Sequence, residues 1–260
     1  MAADKNRKSF KEKAYDIIDV SAEGGVSTIS EIFLEGALGA VVPGATSVIF
    51  SYKQNRMEKN LLRLIQELQD RITTIEELYE KMDPDKKFVI QEFFAGLICD
   101  YVIDEQEEEK IKYIANGFVS LSGQEKINMD QTIIYLDILK SLRLIDIRIL
   151  FDKGKGIILH NENFQEYLDQ LGINNEQYRM INDKLLRLGL YKSSYDDEYQ
   201  KLVKNVNDLT DFAMSLQKGK SNRLRSTITS FKPKDRESIS LSKLGRGFIN
   251  YFSGEMEEDE

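Results

Sequence analysis

The spacing of apolar positions along the first half of the chain is that of successive helices. Phe10, Ala14, Ile17 and Ile18 share one face of a helix spanning about Ser9 to Val20, and Gly24-Gly25 ends it. The stretch from Val26 to Phe50 is unlike the rest. Its only charges are Glu31 and Glu35, and Pro43-Gly44 interrupts it, which predicts two short apolar helices meeting at a turn. From Ala45 to about Met82 the pattern is that of one long helix. Leu61, Ile65, Leu68, Ile72, Ile75, Tyr79 and Met82 recur at alternating steps of four and three, an a/d seam with Arg, Glu, Gln and Lys on the other faces. Asp83-Pro84-Asp85 ends that helix. Lys86 to Ile103 is apolar on nearly all sides, through Phe88, Val89, Ile90, Phe93, Phe94, Leu97, Ile98, Tyr101 and Val102, as expected of a core helix. The acidic run Glu105 to Glu109 places carboxylates at the N-terminus of a further helix through Ile111, Ile114 and Phe118, and Ser122-Gly123 suggests a boundary.

Beyond that boundary the periods shorten. Ile133, Leu136, Ile138, Leu139 and Leu142 mark a helix, and a shorter one covers Ile145 to Phe151. Gly154-Lys155-Gly156 is a loop, and Ile157-Ile158-Leu159 is a candidate strand. Helices follow at about Asn163 to Leu171 and Asn174 to Leu188. Leu188-Gly189-Leu190-Tyr191-Lys192 then reads as a helix stop leading into a strand, with Ser238 to Leu241 as its partner ahead of a last helix, Ser242 to Phe252. This is the order of a winged helix-turn-helix. An insertion from Ser193 to Glu237, with its own helix around Glu198 to Leu216, interrupts the wing. The expected fold is mostly α. Residues 1–122 form a helical bundle with a long coiled-coil-like helix, residues 123–254 a winged-helix-like α+β half with an inserted helix, and residues 255–260 an acidic tail.

Composition changes this picture little. A chain of 260 residues with 41% hydrophobic and 31% charged residues is ordinary for a folded protein. The net charge of −8 disfavours a dedicated nucleic-acid binder. The charge is uneven, however, with a basic stretch from Lys218 to Lys234 and an acidic one from Glu255 to Glu260. The single cysteine, Cys99, forms no intramolecular disulfide and fits a reducing compartment. Met1 to Lys5 lacks the apolar core of a signal peptide. The expected location is the cytoplasm, with the inner face of the membrane as the place of any conditional contact.

Chemistry is conspicuous by what is missing. With one histidine, His160, and one cysteine, no zinc site of the usual Cys/His kind can be built within one chain. A Ser-His-Asp triad has only His160 to draw on, and no Gly-x-Ser-x-Gly elbow exists. Gly39 to Ser47 imitates a phosphate loop but has Ala45 where the lysine is needed. The pairs Glu76-Glu77 and Asp196-Asp197 read as solvated charge. No catalytic residue, metal ligand, cofactor or small-molecule substrate is assigned.

Three stretches are candidates for contact instead. Leu34, Gly36, Leu38, Gly39, Val42, Pro43, Gly44, Ile49 and Phe50 lie in the apolar segment, whose 25 residues exceed the roughly 20 that cross a bilayer. Glu35 and Pro43-Gly44 make a fixed span costly. The open readings are a buried hairpin in the bundle, or a segment sheltered at rest and released onto a membrane. Leu61, Ile65, Leu68, Ile72, Ile75 and Tyr79 form a seam that either packs against its own bundle or joins copies into a homo-oligomer. Arg179, Lys184 and Arg187 on the second helix of the winged-helix-like half, with Arg223 and Arg225 in the basic stretch, are the candidate nucleic-acid contacts. Glu176, Asp183 and the overall acidity oppose them, so a protein partner is the first expectation, with a winged-helix DNA-binding regulator and a protein-binding inhibitor or adaptor both left open.

Taken in order, the segments FFAGLICDYVIDEQEEEKIKYIANGFVSL, TIIYLDILKSLRLIDIRIL, INDKLLRLGLYK and ISLSKLGRGFINYF form a recognisable series. The series resembles the abortive-infection alpha family and kindred bacterial and prophage proteins. The matching positions are Leu136 to Leu150, Leu185 to Leu190 and Ile239 to Phe252, and the insertion from Ser193 to Glu237 departs from the family's compact form. The resemblance implies a role in the conflict between bacteria and phages and transfers no catalytic residue. Gly39→Leu or Gly44→Leu is expected to abolish function, scored as protection in a phage plating assay, while the C-terminal half stays folded. Full activity in both variants would rule out a close-packing role for these glycines.

Overall fold

A computed structural model describes residues 10–18, 28–37, 48–157, 164–217 and 238–254. These are mostly helical, with a single two-stranded antiparallel sheet among them. The chain divides into two units, Met1–Arg148 with Phe248–Glu260, and Ile149–Gly247.

The first unit contains α1 (Phe10–Ile17), a π-helical segment Ser30–Ala37, α2 (Val48–Gln69) and α3 (Ile72–Lys81). Next come α4 (Pro84–Val89), a π-helical segment Ile90–Phe94, α5 (Ala95–Asp104), α6 (Ile111–Gly123) and α7 (Met129–Ser141). Helix α2 packs on α1, α5 and α6, α3 packs on α6, and the two π-helical segments meet. The a/d seam supplies much of this core: Leu61, Ile65, Leu68 and Ile75 are buried, and Ile72 and Tyr79 are half-buried. The face considered for self-association is therefore occupied inside the chain, as in the other reading of that seam.

The expected single helix from Ala45 to Met82 is two helices. Nothing in the local sequence breaks it, since no Gly or Pro lies between Gln69 and Ile72. The break coincides with a tertiary contact. Arg71 turns inward, its Nε donating to Asn116 Oδ1 at 2.7 Å and its Nη1 to Glu67 Oε2 at 2.9 Å. Arg71 N–H bonds back to Leu68 O at 3.0 Å, tightening the last turn of α2. Asn116 is buried and passes the link on, its Nδ2 donating to Phe252 O at 2.9 Å.

Pro84 does stop α3, and it also opens the next helix. Asp83 caps α4 by accepting from Lys86 N at 2.9 Å, with Pro84 in the first turn where a missing N–H costs nothing. The helical run from there to Asp104 is not buried on all sides as its composition suggested. Ile90, Phe94, Ile98 and Val102 face inward, but Phe88 and Phe93 are exposed. The run ends in a buried charge pair. Glu105 Oε2 lies 2.7 Å from Lys110 Nζ, and the two side chains are only 7% and 2% exposed. The other carboxylate oxygen accepts from Gln106 N at 2.8 Å and Glu107 N at 3.0 Å. Asn60 on α2 donates to both Val102 O and Glu105 O at 2.9 Å, so the carbonyl end of α5 is satisfied from a neighbouring helix. Helix α7 belongs with this unit, where the sequence had suggested a boundary at Ser122-Gly123; Tyr135 stands at the centre of a ring cluster with Phe248, Tyr251 and Phe252.

Helix α8 (Leu144–Gly154) runs from the first unit's residues into the second's. The second unit continues with α9 (Phe164–Leu171), α10 (Asn175–Arg187), β1 (Tyr191–Ser193) and α11 (Ser194–Gln217). It ends with β2 (Ile239–Leu241) and the first turn of α12 (Lys243–Ser253). Strands β1 and β2 pair with Tyr191 opposite Leu241, Lys192 opposite Ser240 and Ser193 opposite Ile239. The long inserted helix starts directly from β1. In the candidate strand Ile157-Ile158-Leu159, Ile157 is helical and the other two lie outside the described residues.

Glu105→Ala strands a buried lysine and is expected to lower unfolding stability by about 3–5 kcal/mol in urea titration. Replacing both partners, Glu105→Leu with Lys110→Met, is expected to recover most of that loss. A single variant indistinguishable from the parent would show that the pair is solvated.

Candidate functional site

The best-defined joint in the second unit is the corner between α10 and the sheet. Asn174 and Gln177 make a capping box at the start of α10, with Asn174 Oδ1 accepting from Gln177 N at 2.8 Å and Gln177 Oε1 accepting from Asn174 N at 2.9 Å. At its far end Gly189 takes φ 73°. Gly189 N–H donates to Leu186 O at 2.9 Å and Leu190 N–H to Leu185 O at 3.0 Å, a Schellman stop that turns the chain into β1. Ser242 then ties this corner to α12. Its N–H donates to Leu190 O at 3.0 Å, and its Oγ donates to Gly189 O at 2.6 Å while accepting from Gly245 N at 2.8 Å. A Cβ on Gly245 would stand 2.1 Å from Leu190 O, so α12 approaches β1 this closely only with glycine there.

This corner presents the outer face of α10. Glu176, Arg179, Met180, Asp183 and Arg187 are exposed, while Lys184 is half-buried and engaged by a neighbour. Met180, Asp183, Leu186 and Arg187 line an open depression of about 450 Å³. Two exposed arginines stand against two exposed carboxylates, so the solvent-facing charge nearly cancels, whereas tracking a phosphate backbone calls for an excess of positive charge. Met and Arg around an apolar depression suit a protein surface better. Arg223 and Arg225 lie outside the described residues.

In the first unit, Leu34 and Gly36 lie in the π-helical segment Ser30–Ala37, and Ile49 and Phe50 in the first turn of α2. Leu38, Gly39, Val42, Pro43 and Gly44 lie outside the described residues. Upstream of these, Ile29, Ile32 and Phe33 are buried, and the Phe33 ring meets Phe118 edge-on at 5.1 Å. No helix among the described residues is long and apolar enough to cross a membrane. Glu31, on the outer side, accepts from Gln91 Nε2 at 2.9 Å and from Tyr79 OH at 3.3 Å, and Gln91 also donates to Tyr79 OH at 2.7 Å. Burial, and then the Glu31 charge, push the Tyr79 hydroxyl up to about 12. At neutral pH it stays protonated, donating to Glu31 and accepting from Gln91, and so joins α3 to both π-helical segments. Exposed Phe88 and Phe93 in the same helical run were missed by sequence reasoning, because an all-round apolar pattern does not say which side stays uncovered.

A polar cavity of about 210 Å³ lies beside the buried charge pair, lined by Glu105, Glu107, Lys110, Lys140 and Arg143 among others. Lys140 Nζ sits 3.3 Å from Asp104 Oδ2, and Glu107 Oε2 accepts from Leu144 N at 3.2 Å. Among the described residues no three His, Cys, Asp or Glu side chains gather as a metal site. Cys99 is buried, and desolvation pushes its thiol up to about 12. His160 lies outside the described residues. No family model, curated protein or solved structure matches the chain.

Gly245→Ala is expected to lower the urea midpoint by an amount equivalent to about 1–3 kcal/mol or more, because the Leu190 carbonyl is backbone and cannot swing aside. Gly96→Ala, where a Cβ meets nothing within 4 Å, is the matched control and is expected to leave stability unchanged or raise it. Equal loss in both would remove close approach as the reason for glycine at 245.

Proposed function

We propose that this is an antiphage protein of the abortive-infection type, bacterial or prophage-encoded, which acts by contact and not by catalysis. The observation that carries the reading is the coincidence of the family-like blocks with the joints of the fold. Leu185 to Leu190 is the Schellman stop into β1, and Ile239 to Phe252 is β2 with α12, the two tied through Ser242 and Gly245. The order α9, α10, β1, β2, α12 is read as a winged-helix-like module with α11 inserted in the wing. Its α10 face, nearly neutral and centred on exposed Met180, is read as the docking surface for a protein partner, with the helical first unit as the part that transmits the outcome. Release of the apolar segment onto the inner membrane face is the variant of this reading that liposome flotation tests; no flotation with or without a phage trigger would sink it.

One specific feature favours a second reading, a DNA-binding regulator: Arg179 and Arg187 are both exposed on the helix in the recognition position. The two readings separate in one pair of experiments. Expression in a phage-sensitive bacterium is expected to lower the efficiency of plating of at least one phage in a panel. Met180→Glu is expected to abolish that protection at unchanged protein level. Unaltered plating across the panel, together with salt-dependent duplex binding lost in Arg179→Glu/Arg187→Glu, would replace the defence reading with the regulator.

A further inference from the structure

Helix α11 carries a second, regular apolar stripe that the described residues do not cover. Tyr195, Tyr199, Leu202, Val206, Leu209 and Leu216 are each between 40% and 63% exposed, and Ala213, on the same line, is exposed as well. Their steps alternate four, three, four, three, four, three, which is an a/d heptad with Leu202, Leu209 and Leu216 seven residues apart at d and Tyr199, Val206 and Ala213 at a. Scattered surface apolar residues are ordinary, but a line of seven in strict register is not. The covered side of α11 borders the stripe along one edge, with Asn205 buried and Glu198, Asp208, Phe212 and Ser215 half-buried, and Val203 is half-buried on the other edge. A stripe kept at a period of 3.5 stays in contact only with a helix that supercoils around it.

We infer that α11 is a dimerisation helix whose stripe is covered by α11 of a second copy, parallel and in register. Val206 at a between leucines at d is the arrangement that favours two parallel strands. On the side of α11 opposite the seam, exposed Lys204 and Asp211 stay in solvent when the stripe is covered. The area is sufficient. From their exposures the stripe residues remove about 600 Å² per copy, roughly 1,200 Å² in all, at the lower edge of stable interfaces. This gives the contact-based reading above a surface and rests on it only for the purpose of the dimer. Mass and cross-linking are independent of phage protection, so the two fail separately.

Sedimentation velocity of the full chain over a wide concentration range is expected to show a monomer–dimer equilibrium. Leu202→Glu/Leu209→Glu is expected to raise its dissociation constant by about 10³-fold with an unchanged circular dichroism spectrum, since the charge enters the seam from both copies. Under mild oxidation, Val206→Cys and Ala213→Cys are each expected to form an interchain disulfide and Lys204→Cys, on the outer side, none; buried Cys99 does not compete. If the glutamate variant unfolds, the cysteine set decides alone. A parent chain monomeric at every concentration, a dimer indifferent to the glutamates, or cross-linking at Lys204→Cys equal to that at Val206→Cys would overturn the interface. Cross-linking at Val206→Cys without Ala213→Cys would overturn the parallel register.

Discussion

Asn116 is a neutral side chain buried among helices, and a buried amide must have partners for both its ends. Its oxygen is met by the Arg71 guanidinium and its nitrogen by the Phe252 carbonyl, 136 residues further along. Much of the first unit follows from those two bonds. Arg71 bonds Asn116 from the residue at which the helical path breaks, and α3 begins just beyond it with Ile75 against the core. Phe252 is held only if the last helix ends beside α6, which brings Phe248, Tyr251 and Phe252 around Tyr135. The same economy recurs at Asn60, where one amide serves two carbonyls at the end of α5. Packing sets the energy of such a bundle, but these few obligatory hydrogen bonds choose among the packings.

The second unit was the more legible half because its turns are chemical. Asn174 with Gln177, Gly189 with Leu190, and Ser242 with Gly245 are local devices whose residue types are dictated by a capped end, a positive φ or a close approach. Each places an element boundary within a residue or two of where the structure has it. The first unit hides its boundaries in tertiary contacts. Leu68 to Ile75 contains no breaker, so periodicity carried one helix through Asp70-Arg71. The π-helical segment Ile90–Phe94 left no local signal either, and with an apolar residue on nearly every side the sequence could not tell that Phe88 and Phe93 stay outside.

The interior chemistry is conservative. Tyr79, Tyr251 and the Cys99 thiol are all held protonated to about 12, first of all by burial. Groups that stay neutral across the physiological range act as fixed donors or as packing volume, and the Glu105–Lys110 pair spends its charges on the loop that closes α5 against α6. The large apolar side chains left exposed include Met180 on α10 and the α11 stripe.

Two stretches of the chain share the four-three spacing and have opposite fates. Leu61 to Tyr79 spends it on the protein's own core, and Tyr195 to Leu216 leaves it exposed. Spacing alone does not distinguish them, because an intramolecular helix and a second copy ask for the same line of apolar residues. What distinguishes them is whether the chain supplies the other half of the contact. Around α2 it does, with the apolar faces of α5 and α6, while among the described residues the stripe on α11 meets no comparable face. A heptad therefore fixes only that a helix must lie alongside. The count of apolar faces left over decides whether that helix belongs to the same chain or to another.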